Sequence, residues 1–272
     1  MYVLRFDHDL ASAGLLATPA GARRLRLTAD GDASLAWQRL LARYPSLAEQ
    51  FKGARPAFPV RYAGLVQHRL ARAAGARWVL LPHTFAFVDP LFSTGIAWSL
   101  LAVERLAELL GRAKGGVPER VALGRYESLL AAEADQIDRL VAGAYLALPD
   151  FALFTAQAML YFAVVSYAET RHRLRGGSAW EGFLGAGDPF VEALYRESLR
   201  RLEGQTSRRD PQGFVDWVAR EIAPRNVAGL LDPKRRNLYP VDLDTLVERS
   251  HLLGLTPAEV RQALPRLRGS TG

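Results

Sequence analysis

Residues 80–98 read LLPHTFAFVDPLFSTGIAW, and the elements on either side of this stretch are read outward from it. Apolar residues run to Leu81 and stop at Pro82. Asp89-Pro90 stiffens the segment that follows, because a proline holds the residue before it extended. Ser93-Thr94-Gly95 then leads into Ile96, Leu100, Val103, Leu106, Ala107 and Leu110. That spacing predicts a helix from Thr94 or Gly95 to Leu110, ended by Gly111. A strand, a loop and a helix start in this order leave the first-turn N–H groups facing the loop, a natural anion site. Ser93 and Thr94 offer hydroxyls, and Gly95 lets a flat or bulky group approach the backbone. Phe85, Phe87, Leu91 and Phe92 make the surroundings apolar. Such a site suits a ring system with polar edges, or a small halide. The same residues also make an ordinary N-cap, with Phe85 and Phe87 as alternating core residues. The residues alone leave both readings open.

Upstream, Ala76–Leu81 (ARWVLL) is a short strand between Gly75 and Pro82. Tyr2–Asp7 and Ala11–Ala17 form a strand pair around an Asp7-His8-Asp9 turn, and a third strand is expected from Arg23 to Thr28 if this stretch is not simply the lead into the next helix. Asp32 or Ser34 caps a helix that stops near Tyr44, before Pro45. Downstream the pattern is helical. Pro118 opens a helix to about Tyr145, its stripe formed by Val121, Leu129, Ile137, Leu140 and Val141, with Glu127, Glu133, Asp135, Asp138 and Arg139 solvated. Asp150, Asp188 and Asp210 head three more helices. Leu243–Leu252 makes a short one, and a Thr256…Glu259 capping box starts the last, which Pro265 stops. The fold class is therefore α+β: a small N-terminal antiparallel sheet portion in residues 1–110, then a mainly helical region in 111–272.

Composition narrows the chemistry. The 272 residues contain no cysteine, which removes disulfides, iron–sulfur clusters and thiolate chemistry and fits a cytoplasmic protein. Histidines 8, 68, 83, 172 and 251 have no metal-ligand spacing, so no metal site is expected. The net charge of +7 comes with no nucleic-acid recognition motif. The N-terminus lacks the basic-then-apolar pattern of a signal peptide. Phe151–Ala168 is long and apolar enough to raise a membrane span, but Thr155, Gln157 and Ser166 interrupt it, and a buried helix is expected. Asp7, His8 and Asp9 read as a polar turn, and Trp98 as a core residue one turn into the helix.

The stretch FAFVDPLFSTG resembles the FVDPLFSTG-type motif in the C-terminal half of flavin-dependent halogenases and related FAD monooxygenases. Phe6-Asp7-His8, Ala13-Gly14-Leu15-Leu16 and Tyr44-Pro45-Ser46-Leu47 are similar to segments of the same family, over roughly residues 1–110. The resemblance implies that Pro90, Ser93, Thr94 and Gly95 lie against the isoalloxazine ring of FAD, with Asp89 and Leu91 shaping the same cofactor-binding loop and halide near the Ser-Thr-Gly backbone. It also implies a small aromatic or apolar substrate. The family's GxGxxG strand–helix turn and its essential lysine have no counterpart in these residues. The fold is therefore expected to be an incomplete FAD-dependent oxidoreductase, truncated, split or degenerate. FAD should bind this chain weakly or not at all without a separately encoded FAD-binding polypeptide. No catalytic residue is assigned. Where the family carries Gly-Asp, this chain has Pro82-His83. His83 can donate to phosphate, but when protonated it cannot accept from ribityl hydroxyls. Phe92 stands where tryptophan-type members carry glutamate, which disfavours that substrate. The alternative reading is a non-enzymatic helical ligand-binding or accessory protein.

Overall fold

A computed structural model describes residues 1–27, 32–113, 116, 118–204, 210–232, 234 and 242–268. By contacts the chain divides into two compact units, Met1–Val66 and Gln67–Gly272.

In the first unit, β1 (Tyr2–Arg5) pairs antiparallel with β2 (Ala11–Gly14), Tyr2 opposite Gly14 and Arg5 opposite Ala11. His8 and Asp9 take φ of 61° and 55° in the turn, a region that short polar residues tolerate better than most. Asp7-His8-Asp9 is thus a turn, as expected. Arg23 does not begin a third strand. It lies in helix α1 (Pro19–Arg24), where Pro19 sits at the first position and the Thr18 hydroxyl accepts from Gly21 N at 3.0 Å. Thr28 lies outside the described residues. Helix α2 (Ala33–Arg43) is capped by Asp32, and α3 (Pro45–Gln50) starts at the proline that ends it.

The second unit opens with short antiparallel pairs. β3 (His68–Arg69) pairs with β6 (Ala86–Phe87), and β4 (Ala74–Gly75) with β5 (Trp78–Val79). The strand expected over Ala76–Leu81 is only the two residues of β5, because the chain folds back on Ala74–Gly75. Helix α6 (Arg120–Ala147) holds this hairpin in place. The Glu127 carboxylate accepts from Ala73 N at 2.7 Å and Ala74 N at 2.8 Å, and the Tyr126 hydroxyl donates to the Leu80 carbonyl at 2.9 Å. Burial pushes the Tyr126 phenol up to about 12. Pro82–Phe85 is one helical turn, α4, rather than loop, with proline at its first position.

The core is helical. Around α6 pack α7 (Phe151–Arg175) and α8 (Pro189–Glu203), and α9 (Pro211–Ile222) packs on α7. Each of these three begins at an aspartate that accepts first-turn N–H groups: Asp150, Asp188 and Asp210. Helix α7 buries Leu153, Ala156, Leu160, Tyr161, Ala163 and Val164. By length and composition it is also the one helix among the described residues able to cross a membrane. The expected Leu243–Leu252 helix is α10 (Leu243–Glu248) and a separate 3₁₀ turn, broken at Arg249. Thr256 and Glu259 form the capping box of α11, Thr256 N donating to Glu259 Oε2 at 2.7 Å. Helix α11 runs Pro257–Arg268, one turn past Pro265. A proline removes one N–H from the ladder, and here the turn beyond it still forms.

One expectation about faces is overturned, on α6, and α5 buries the less apolar of its two faces. Helix α5 (Gly95–Arg112) buries Trp98, Ala102, Arg105 and Leu109. Of the apolar positions read from sequence, Ile96, Leu100, Val103 and Leu110 are 75%, 64%, 48% and 58% exposed, while Leu106 packs against the core. Glu133, expected in solvent, is wholly buried on α6, and Val121, expected in its core stripe, is exposed. The burial of Glu133 has a partner on α5. Arg105 and Glu133 form a buried ion pair between α5 and α6, with Arg105 Nη2 2.6 Å from Glu133 Oε1. Each charge tolerates burial only because the other faces it.

Candidate functional site

The six residues singled out by the sequence converge. His83, Asp89, Pro90, Ser93, Thr94 and Gly95 all line one concavity of about 270 Å³. Phe87, Val88, Ile96, Trp98 and Ile137 supply apolar lining. The reason is local. Helix α4 and strand β6 turn the chain so that the following loop crosses the start of α5. The Ser93 N–H then donates to the Pro90 carbonyl at 2.9 Å, closing a tight turn. Ser93 pays for that turn with φ of 52°, a conformation costing an ordinary residue about 1 kcal/mol.

Neither hydroxyl caps the helix. Thr94 is the N-cap residue of α5, and its side chain accepts no bond from the first turn. Thr94 is buried and Ser93 exposed. Both Asp89 oxygens take part in building the loop: Oδ1 accepts from Leu91 N and Oδ2 from the Tyr145 hydroxyl, both at 2.8 Å. Burial, then the Asp89 hydrogen bond and charge, push Tyr145 up to about 12. Gly95 does admit a flat group to its backbone, but the group is the chain's own. A Cβ at this position would collide with the His83 imidazole, which lies over it. His83 is itself exposed, so solvent borders that ring. The His83 and Phe87 rings are 5.9 Å apart.

Sequence reasoning missed three residues here. All three come from α6: Ile137 lines the concavity, Tyr145 bonds Asp89, and Glu133 bonds Trp98. Glu133 Oε2 accepts the Trp98 indole N–H at 2.7 Å, fixing a ring that is 2% exposed and edges the concavity. Trp98 is therefore the core residue expected, and part of the pocket wall. A signal was present: Glu133 falls four residues before Ile137, on the same helical face. No group of three or more His, Asp or Glu suited to a metal ion occurs among the described residues.

The volume sets what fits. At about 270 Å³ the concavity is slightly below the roughly 300–1,000 Å³ of complete ligand pockets. It accommodates part of a large ligand, and its lining suits an aromatic ring whose polar edge meets free amides. These residues thus fit one side of a flavin ring and do not enclose a dinucleotide.

Comparison with known proteins agrees in part. No family model matches the chain. It is 31% identical over 155 residues to monodechloroaminopyrrolnitrin halogenase PrnC of Pseudomonas fluorescens, a match covering 56% of this chain and 26% of PrnC. It is 34% identical over 73 residues to tetracycline 7-halogenase of Kitasatospora aureofaciens, covering 23% of this chain and 13% of that one. Its fold matches crystal structures of halogenase PltM, one of them in complex with phloroglucinol and FAD, with a TM-score of 0.60 at 24% identity. That match covers 72% of this chain and at most 44% of PltM. The protein is thus similar to halogenases over part of its length. The matched segment spans about a quarter of PrnC and under half of PltM.

Proposed function

We propose that this chain forms the ring-facing loop and substrate-side helices of a flavin-dependent halogenase- or monooxygenase-like oxidoreductase. The observation that carries the reading is the convergence of His83, Asp89, Pro90, Ser93, Thr94 and Gly95 on one concavity at the uncapped start of α5. Its similarity to PrnC and tetracycline 7-halogenase supports the same class. Thr94, Gly95 and His83 would meet the polar edge of the ring, with Phe87, Val88 and Ile96 beside its apolar part. Bound reduced FAD, with dioxygen, supplies the oxidising chemistry for halide oxidation or hydroxylation of a small aromatic or apolar substrate. The phosphates of the dinucleotide would lie outside this concavity, which is too small to enclose them. Alone, this chain holds flavin weakly.

The test is titration of the purified chain with FAD by calorimetry and with millimolar FMN by amide NMR. The expected FAD dissociation constant is weaker than about 0.1 mM, a binding free energy below about 5.5 kcal/mol. FMN should shift amides at His83, Gly95 and Ile96 before any others. Micromolar FAD binding would overturn the one-sided pocket, and FMN shifts elsewhere would overturn the site. One observation favours a non-enzymatic ligand-binding protein instead: His83 already covers Gly95. A His83 ring that stays in place at saturating FMN would decide for that reading.

A further inference from the structure

We infer that Glu133 and Arg105 are positioning residues for the concavity, holding its wall through the indole nitrogen of Trp98. The inference takes its ligand from the flavin-facing reading, while the geometry stands independently of it. Four donors converge on the Glu133 carboxylate. Trp98 Nε1 lies at 2.7 Å and Phe183 N at 2.7 Å, and Arg105 Nη1 and Nη2 lie at 2.9 Å and 2.6 Å. Arg105 in turn donates from Nε to the Ala179 carbonyl at 2.5 Å and from Nη2 to the Glu181 carbonyl at 3.0 Å. Both side chains have 0% exposure. One network therefore joins α5, α6 and the 179–183 segment, and Trp98 is the member of it that lines the concavity. Ile137, one turn along α6 from Glu133, lines the same wall.

Net stability does not account for this arrangement. Hydrophobic residues of similar volume commonly replace a buried ion pair at no loss. What such residues lack is an acceptor for the indole N–H. Without one, the ring loses the bond that selects its orientation, and the wall it forms loses its shape.

Two double variants separate the roles, because both remove the ion pair without stranding a charge. Arg105→Met/Glu133→Gln keeps a carbonyl oxygen for Trp98. Arg105→Met/Glu133→Leu does not. Each is titrated with FMN as the intact chain, with binding read at the Gly95 and Ile96 amides. Solvent exchange of the Trp98 indole proton, assigned by its absence in Trp98→Phe, is measured alongside. The Gln variant should bind FMN within twofold of the unmodified chain, with a slowly exchanging indole proton. The Leu variant should bind about tenfold more weakly, the equivalent of one lost hydrogen bond, with at least tenfold faster exchange. Equal behaviour of the two variants in binding and exchange overturns the inference, whether both resemble the unmodified chain or both are impaired. If the unmodified chain shows no FMN contact, the flavin reading fails. The exchange comparison still decides whether Glu133 positions Trp98.

Discussion

Replacing Glu127 by alanine should loosen the hairpin that leads into the site, by an amount the structure allows to be worked out. Glu127 Oε2 accepts from the N–H groups of Ala73 and Ala74, residues that are 0% and 2% exposed. Each buried donor left unpaired costs about 1–3 kcal/mol. The Arg72 guanidinium also binds the carboxylate, at 2.9 Å and 3.0 Å, but its side chain is 65% exposed and adds about 0–1 kcal/mol. The Glu127 side chain is 24% exposed, so water can reach the vacated place and the lower figures apply. The expected loss is about 2–3 kcal/mol at pH 7. It should be local: amide exchange at Ala73, Ala74 and Leu80 should rise 30-fold or more, on the order of the Boltzmann factor for 2 kcal/mol. The pH dependence gives a second check. Burial alone would raise the Glu127 carboxyl, but the Ala74 N–H, the Arg72 guanidinium and the Ala73 N–H together hold it below its ordinary 4.5. A group with a lowered folded pKa stabilises the fold fully above its unfolded value and loses that contribution as pH falls through the folded one. The difference between Glu127→Gln and the unmodified chain should therefore be constant above about pH 5 and shrink below 4.5. Unchanged exchange at Ala73 and Ala74 in the alanine variant, or a Gln difference that persists into acid, would refute the reasoning.

Other residues give equally direct checks. Glu133→Gln alone leaves Arg105 buried beside a neutral partner and should cost about 3–5 kcal/mol in urea unfolding; a cost below about 1 kcal/mol would show that water reaches the pair. In Asp89→Asn, the Tyr145 phenol should fall from about 12 part of the way towards 10, because burial persists while the carboxylate charge is gone; ultraviolet titration against Tyr145→Phe measures it. Gly95→Ala should displace the exposed His83 ring, since the new Cβ takes its place. Stability should change by less than about 1 kcal/mol, while the His83 NMR signals shift. Asp150→Ala, which removes the acceptor for Ala152 N and Leu153 N, should cost about 1 kcal/mol.

Much of the helical frame was legible in the sequence because its signals are local. Asp150, Asp188 and Asp210 cap within three residues of themselves, as does the Thr256–Glu259 box. The VDPLFSTG stretch likewise marks its own site: a proline, a tight turn and a helix start lie within seven residues. The short strands were less legible. Two-residue pairs such as Trp78–Val79 depend on which neighbour the chain folds back upon, and β-branched or aromatic content does not say.

The sequence by itself determined where helices begin and which loop collects the candidate residues, because caps, prolines and glycines act on their immediate neighbours. Only the tertiary structure decided which face of α5 turns inward. Ile96, Leu100, Val103 and Leu110 make the better apolar stripe, yet the buried face carries Arg105. Its partner Glu133 lies 28 residues away on another helix. Burying a charge is permitted by an opposite charge in space, and no periodicity along one helix contains that information. The same holds for His83. Its place over Gly95 follows from the helical turn of α4, which brings two residues twelve positions apart into contact and shapes the wall a ligand would meet.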